Sequence, residues 1–182
     1  MILEYPNYIT KEFAEYIREE CQKYIVPDAK PVYNRDGDTV DISNTPELKE
    51  VDSQLHDLMQ KISSEILEFR YKPQFKAADD GYDFHRYNPG QGCYFHSDGE
   101  VDANLLRFAS VILQLTTNED GGELVFPAQN KTIKSEIGKL IIFPPYGTYG
   151  HYVNPSSTPR DVIVSWFIYD GVYIYKDENN KR

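Results

Sequence analysis

Two residues, His96 and Asp98, open the chemical reading of this 182-residue chain. In Tyr94-Phe95-His96-Ser97-Asp98 an imidazole and a carboxylate stand one residue apart. On extended backbone the side chains alternate with period two, so a His-x-Asp pair aims both groups at one locus. Taken alone, the pair is more simply a hydrogen-bonded surface pair. A second imidazole from a neighbouring strand would make it a set of two His and one carboxylate. That facial set leaves coordination positions open and suits a non-haem Fe(II) that activates O2.

The candidate second imidazole is His151. It follows the apolar run Lys139-Leu140-Ile141-Ile142-Phe143, which stops at Pro144-Pro145 and reads as a buried strand. Its flanks Gly150 and Asn154-Pro155 are loop-like, which suits a metal site at a strand-loop junction as well as a plain turn residue. His85 is an alternative donor, although a strand His is more often packed or solvated; His56, beside Leu55, reads as a surface residue. Arg160 opens the core-strand run Asp161-Val162-Ile163-Val164-Ser165-Trp166-Phe167-Ile168. Such a position points a planar, always-charged fork into an apolar interior, where it needs a carboxylate. Asp161 faces the other way, so a small dicarboxylate ligand would serve, bound bidentately. A salt bridge to a remote acid is the plainer alternative.

These residues occur in a familiar order. His96-x-Asp98, Gly121-Gly122-Glu123-Leu124-Val125-Phe126-Pro127, Phe143-Pro144, His151-x-Val153-x-Pro155, Arg160 and Trp166, preceded by Arg86-Tyr87-Asn88-Pro89-Gly90-Gln91-Gly92, resemble the prolyl-hydroxylase branch of the Fe(II)/2-oxoglutarate dioxygenases. The resemblance covers about Tyr82 to Tyr169. It implies that His96, Asp98 and His151 bind iron and that Arg160 binds the distal carboxylate of 2-oxoglutarate. It places Tyr87 near the 2-oxoglutarate pocket, Trp166 on the floor of the site and Arg107 toward a peptide substrate. It further implies O2 as the oxidant and ascorbate as an auxiliary reductant. One departure is visible: where many relatives place a Tyr hydroxyl against the 2-oxoglutarate carboxylate, this chain has Gln114, whose amide can donate a similar hydrogen bond. Nucleic-acid demethylases with this iron chemistry carry a second Arg six residues after the first; here that position is Trp166.

The elements that must position these residues follow from local patterns. Residues 1–75 read as helical support. Thr10 caps a predicted helix from Lys11 that presents Phe13, Ile17 and Tyr24. Thr45-Pro46-Glu47 starts a second, with Leu48, Val51, Leu55, Leu58, Ile62 and Ile66 on one face and Pro73 ending it. Between them Asp36-Gly37 suggests a hairpin or loop, and residues 33–41 read most simply as a surface loop, with a lid over the site as the alternative. From Tyr82 the pattern changes to short strands divided by Gly, Pro and Asn, which suits a sandwich or barrel. The expected fold is mainly β with N-terminal helices: a single domain over 1–182, with a double-stranded β-helix (a cupin-like jelly roll) over 76–170, helices packed on its major sheet, and a tail over 171–182.

Composition removes some classes. The formal net charge of −10 disfavours binding to phosphate backbones. No apolar run approaches a membrane span. Met1-Ile2-Leu3-Glu4-Tyr5-Pro6 carries no secretory pattern, and the two cysteines, Cys21 and Cys93, are expected as thiols in a reducing cytoplasm. The leading expectation is a dioxygenase that hydroxylates a prolyl residue of a protein or peptide. The alternatives are the same mechanism on another residue or small metabolite, and a non-oxidative cupin-like metal-binding protein.

Overall fold

A computed structural model describes residues 1–27, 36–67, 77–99 and 107–169. In chain order the strands are β1 (Leu3–Tyr5), β2 (Val26–Pro27), β3 (Asp38–Asp41), β4 (Ala77–Asp79), β5 (Asp83–Tyr87), β6 (Cys93–His96), β7 (Arg107–Gln114), β8 (Leu124–Phe126), β9 (Lys131–Ile133), β10 (Leu140–Phe143), β11 (His151–Val153) and β12 (Arg160–Tyr169). Among the described residues the α-helices are α1 (Lys11–Cys21) and α2 (Lys49–Ile62).

All pairings are antiparallel. The large sheet runs β1-β10-β7-β12-β5-β3-β2, with β4 pairing the end of β12 beyond β5; the small sheet runs β6-β11-β8-β9. Facing sheets of this kind are a jelly roll, as expected. Alternation along β12 builds two cores from one strand. Val162 and Val164 enter the core between the sheets with Tyr87, Ile112, Ile141, Phe143, Leu124 and Phe126. Ile163 and Phe167 face the helices and meet Ile17, Leu55, Met59 and Ile62.

Helix α1 begins where the sequence indicates: Thr10 is extended and its hydroxyl accepts from the Phe13 N–H at 3.2 Å. Its fully covered residues are Ala14, Ile17 and Cys21, whereas Phe13 and Tyr24 pack at the margin. The second helix starts as a tight 3-10 turn at Pro46–Leu48, continues as α2, and widens to a π-turn at Ser63–Leu67. Thr45 gives no side-chain cap; its hydroxyl instead donates to the Asp41 carbonyl at 2.6 Å.

Residues 1–75 hold α1 and α2. That region also supplies β1, β2 and β3 to the large sheet. These strands are two to four residues long, too short to show an alternation. Asp38–Asp41, inside the expected loop, is a strand paired with both β5 and β2, while residues 33–35, Pro73 and the tail lie outside the described residues.

Candidate active site

The site lies between the two sheets. His96 on β6 and His151 on β11 are direct cross-strand partners, and their ring centroids stand 4.4 Å apart. Strand β6 stops at His96, and Asp98 stands in the turn after it rather than on extended backbone as the sequence suggested. Its Oδ1 is 3.3 Å from His96 Nε2 and 3.8 Å from His151 Nε2. One donor atom from each residue falls within 4.8 Å of the others, close enough for the three to share one cation. His85, buried on β5 with Nε2 4.0 Å from Asp83, does not join this group.

A β-bulge aims His96. From His151 to Val153 is two steps on β11, while the facing stretch from His96 back to Cys93 is three on β6. Cys93 and Val153 both face the core between the sheets. With strict alternation a residue three positions from Cys93 would face outward; the extra residue turns His96 inward and leaves Tyr94 and Phe95 exposed.

The outer ring nitrogens fix how both imidazoles are presented. His96 Nδ1 donates to the Tyr94 carbonyl at 2.9 Å, and His151 Nδ1 to the Tyr149 carbonyl at 3.1 Å. A carbonyl only accepts, so each Nδ1 carries the proton and each Nε2 is left for a metal. Electrostatics agree with a cation site. Burial pushes the His96 imidazole down, but the Asp98 carboxylate, Cys93 and the Tyr94 carbonyl together outweigh it and hold the group at about 10. Burial raises Asp98, and the two imidazoles overcome this to hold it at about 2. His151 is lowered by burial.

Arg160 is 1% exposed, opposite Tyr87 in the β5–β12 register, with its guanidinium 5.4 Å from the Tyr87 ring centroid. Its Nε and Nη2 have no hydrogen-bond partner, and burial lowers its pKa. The nearest acid in sequence is committed elsewhere. Asp161, fully buried on the helix face, accepts from Arg18 Nε at 2.9 Å and from Arg86 Nε and Nη2 at 2.8 and 2.7 Å. Gln114 pairs with Val162, two residues along β12 from Arg160. Its Oε1 accepts from the Glu136 N–H at 2.7 Å, which leaves its buried Nε2 without a partner. A cluster of buried donors without an internal acceptor fits a small carboxylate ligand.

Gly121 and Gly122 do more than turn the chain. At Gly121, φ is +78° and a Cβ would sit 1.9 Å from the Pro155 carbonyl; at Gly122 a Cβ would meet Arg160 Cδ at 3.3 Å. The pair lets this segment run against the loop that leads into Arg160. Asn118 ties the same loop, its Nδ2 donating to Ser156 Oγ, Thr158 Oγ1 and the carbonyls of Thr158 and Pro159.

Trp166 lies opposite Ser110, packs against the core between the sheets, and has an unpartnered Nε1. Arg107 lies flat over it, 3.8 Å from the ring centroid. Arg107 reaches this face because of a second bulge: Phe167 pairs with Ala109 and Ile168 with Arg107, so Phe108 is the extra residue and joins the helix-side core near Phe167. A groove of about 290 Å³ flanks β6, lined in part by Tyr94, Phe95, Tyr152, Asn154, Pro155 and Asp36. The bulges, the Asp161 cluster and the Asn118 network escaped the sequence reading, because none has a compositional mark.

Comparison with known proteins agrees with this geometry. Residues 82–168 match the family model of the 2OG-Fe(II) oxygenase superfamily. No curated protein matches the chain. Among solved structures, a viral collagen prolyl hydroxylase from Paramecium bursaria Chlorella virus-1, in a 2OG complex, is 21% identical with a TM-score of 0.75, covering 92% of this chain and 96% of that one. A Pseudomonas putida prolyl-4-hydroxylase is 19% identical with a TM-score of 0.69, covering 93% of each chain. A Trichoplax adhaerens prolyl hydroxylase, in complex with a hypoxia inducible factor peptide, is 16% identical with a TM-score of 0.69, covering 92% of this chain and 83% of that one. Residues 82–168 are thus similar to the 2OG-Fe(II) oxygenase superfamily, and the chain has the fold seen in these prolyl hydroxylases.

Proposed function

We propose that this protein is an Fe(II)- and 2-oxoglutarate-dependent dioxygenase that hydroxylates a C–H bond of a prolyl residue in a protein or peptide, with release of succinate and CO2. The observation that carries the reading is the shared interior of two groups. His96, Asp98 and His151 converge on one locus, and the same interior holds a buried Arg160 with unpartnered nitrogens. His96, Asp98 and His151 would hold Fe(II). Arg160 would grip the distal carboxylate of 2-oxoglutarate, with Gln114 Nε2 as a second donor and Tyr87 packed beside it.

The bound metal and 2-oxoglutarate supply the oxidative decarboxylation that consumes O2 and delivers one oxygen atom to the substrate C–H bond. The chain supplies presentation. The Tyr94 and Tyr149 carbonyls hold the imidazoles with Nε2 inward. Phe126 and Phe143 crowd His151 with ring centroids 5.3 and 4.9 Å away, which limits water around it. No proton-transfer residue is assigned. On the substrate side, Trp166 offers its indole N–H to a carbonyl of a peptide chain, and exposed Tyr94 and Phe95 give such a chain an apolar surface beside the site. Ascorbate as an auxiliary reductant and a cytoplasmic location complete the proposal; among the described residues no helix is long and apolar enough to cross a membrane, and Cys21 and Cys93 form no disulfide.

A proline-containing peptide library, incubated with enzyme, Fe(II), 2-oxoglutarate and O2 and read by mass spectrometry, tests this reading. Gain of one oxygen on proline, matched by succinate, is the expected result. Succinate without prolyl modification, while another residue or a metabolite gains oxygen, would move the substrate class. No succinate under any condition would favour a non-oxidative metal-binding protein.

A further inference from the structure

Asp98 poses a positional problem: strand pairing fixes His96 and His151, but Asp98 stands in a turn past the end of β6. We infer that Arg107 is the positioning residue for Asp98 and that Asp80 locks it in place, an inference that rests on the metal-site reading above. The Arg107 guanidinium is engaged on several sides. Nε and Nη2 donate to Asp80 Oδ2 at 3.2 and 2.7 Å, Nη1 donates to the Asp98 backbone carbonyl at 3.4 Å, and one face lies 3.8 Å over Trp166. These contacts fix a planar group in direction as well as position, which a lysine ammonium cannot do.

Asp80 is itself anchored. Its backbone N–H donates to the Trp166 carbonyl at 2.9 Å, and the next residue, Gly81 at φ +81°, accepts at its carbonyl from Ser165 Oγ at 2.8 Å. A line of constraint runs from the β12 backbone through Asp80 and the Arg107 fork to the Asp98 main chain. It enters the interior because the Phe108 bulge turns Arg107 inward. The resemblance implies a peptide-facing role for this position; here the fork is turned to Asp80 and Asp98. The long Asp98 contact adds little binding energy by itself. Its role is to set the direction of the Asp98 peptide, and hence of a carboxylate that needs a defined geometry at a metal.

The test is Mn²⁺ titration of the metal-free full chain, followed by EPR without 2-oxoglutarate or peptide. Variants are Arg107→Gln, Arg107→Lys, Asp80→Asn, the Arg107→Gln/Asp80→Asn double, and Asp98→Ala as reference. Loss of an outer partner of a metal ligand typically weakens binding by roughly 10–100-fold. Arg107→Gln should lose about tenfold at the low end of that range, Arg107→Lys should not rescue it, and Asp80→Asn should lose less. The double variant should lose no more than Arg107→Gln, because Asp80 acts through Arg107. In turnover kcat should fall while KM for the peptide holds. Asp80→Asn removes charge without removing packing, so it carries the test if Arg107→Gln does not fold. Wild-type Mn²⁺ affinity in both Arg107→Gln and Asp80→Asn, with KM for peptide raised, would overturn the inference and make Arg107 a substrate contact. Wild-type affinity in Asp98→Ala would overturn the metal-site reading itself, and this inference with it.

Discussion

Arg160 and Asp161 are adjacent in the chain, opposite in charge and on opposite faces of the same strand. Asp161 is held by Arg18 and Arg86 on the helix face, whereas Arg160 is buried between the sheets with two unpartnered nitrogens. The separation leaves Arg160 for an external carboxylate.

Arg160→Ala should weaken 2-oxoglutarate binding by roughly 2–5 kcal/mol, the usual cost of truncating one partner of a buried charge-assisted pair. Arg160→Lys should fall between that variant and the wild type, since a point charge replaces a fork. Calorimetric titration with 2-oxoglutarate in the presence of Mn²⁺ measures both. Unchanged affinity in Arg160→Ala would make Arg160 structural.

Gln114→Leu should weaken the same binding by about 1.5–3 kcal/mol, one hydrogen bond to a charged group. It also removes the acceptor for the Glu136 N–H, so the melting temperature should drop slightly. A fall in melting temperature with full 2-oxoglutarate affinity would show that the amide serves the fold alone.

Asp161→Asn should destabilise the protein by up to about 3–5 kcal/mol, because it removes a fully buried charge that pairs with Arg86 and with the one-third-exposed Arg18. Denaturant unfolding gives the value. A change below 1 kcal/mol, on the order of a surface pair, would mean that water relieves the two arginines.

Metal uptake should be proton-linked. Asp98, Cys93 and the Tyr94 carbonyl together hold His96 at about 10 against the opposing effect of burial, so at neutral pH the metal-free site carries a proton that the cation must displace. Affinity should therefore rise with pH through the neutral range and flatten above about 10. The raised His96 value stabilises the metal-free fold fully below the ordinary imidazole value, and that contribution is lost as pH rises through about 10. The lowered Asp98 value acts above the ordinary carboxylate value and is lost as pH falls through about 2. Mn²⁺ calorimetry in two buffers of different ionisation enthalpy counts the protons. One released per site is expected; none would contradict the charge state of the pair.

Much of the fold was legible in the residues. The alternation of β12, the Thr10 cap and the direction of Asp161 each follow from a local rule, and the proposed residues Arg107, Gln114, Tyr87 and Trp166 lie on or beside the interior that holds the metal candidates. What could not be read depends on register. An inserted residue at Tyr94-Phe95 or Phe108 looks like any strand residue until its partner strand is known, yet it decides which way His96 and Arg107 point. The Asp98 turn and the short strands β1, β2 and β3 were hidden for the same reason: their form is imposed by distant neighbours.

The central claim is that His96, Asp98 and His151 hold the iron that couples 2-oxoglutarate to oxidation. The most direct measurement is succinate formed from 2-oxoglutarate under O2, with and without Fe(II), in the wild type and in Asp98→Ala and His151→Ala chains shown to be folded by circular dichroism. The account predicts Fe(II)-dependent succinate in the wild type and its loss in both variants. Full turnover in either variant, or Fe(II)-independent succinate in the wild type, would contradict it.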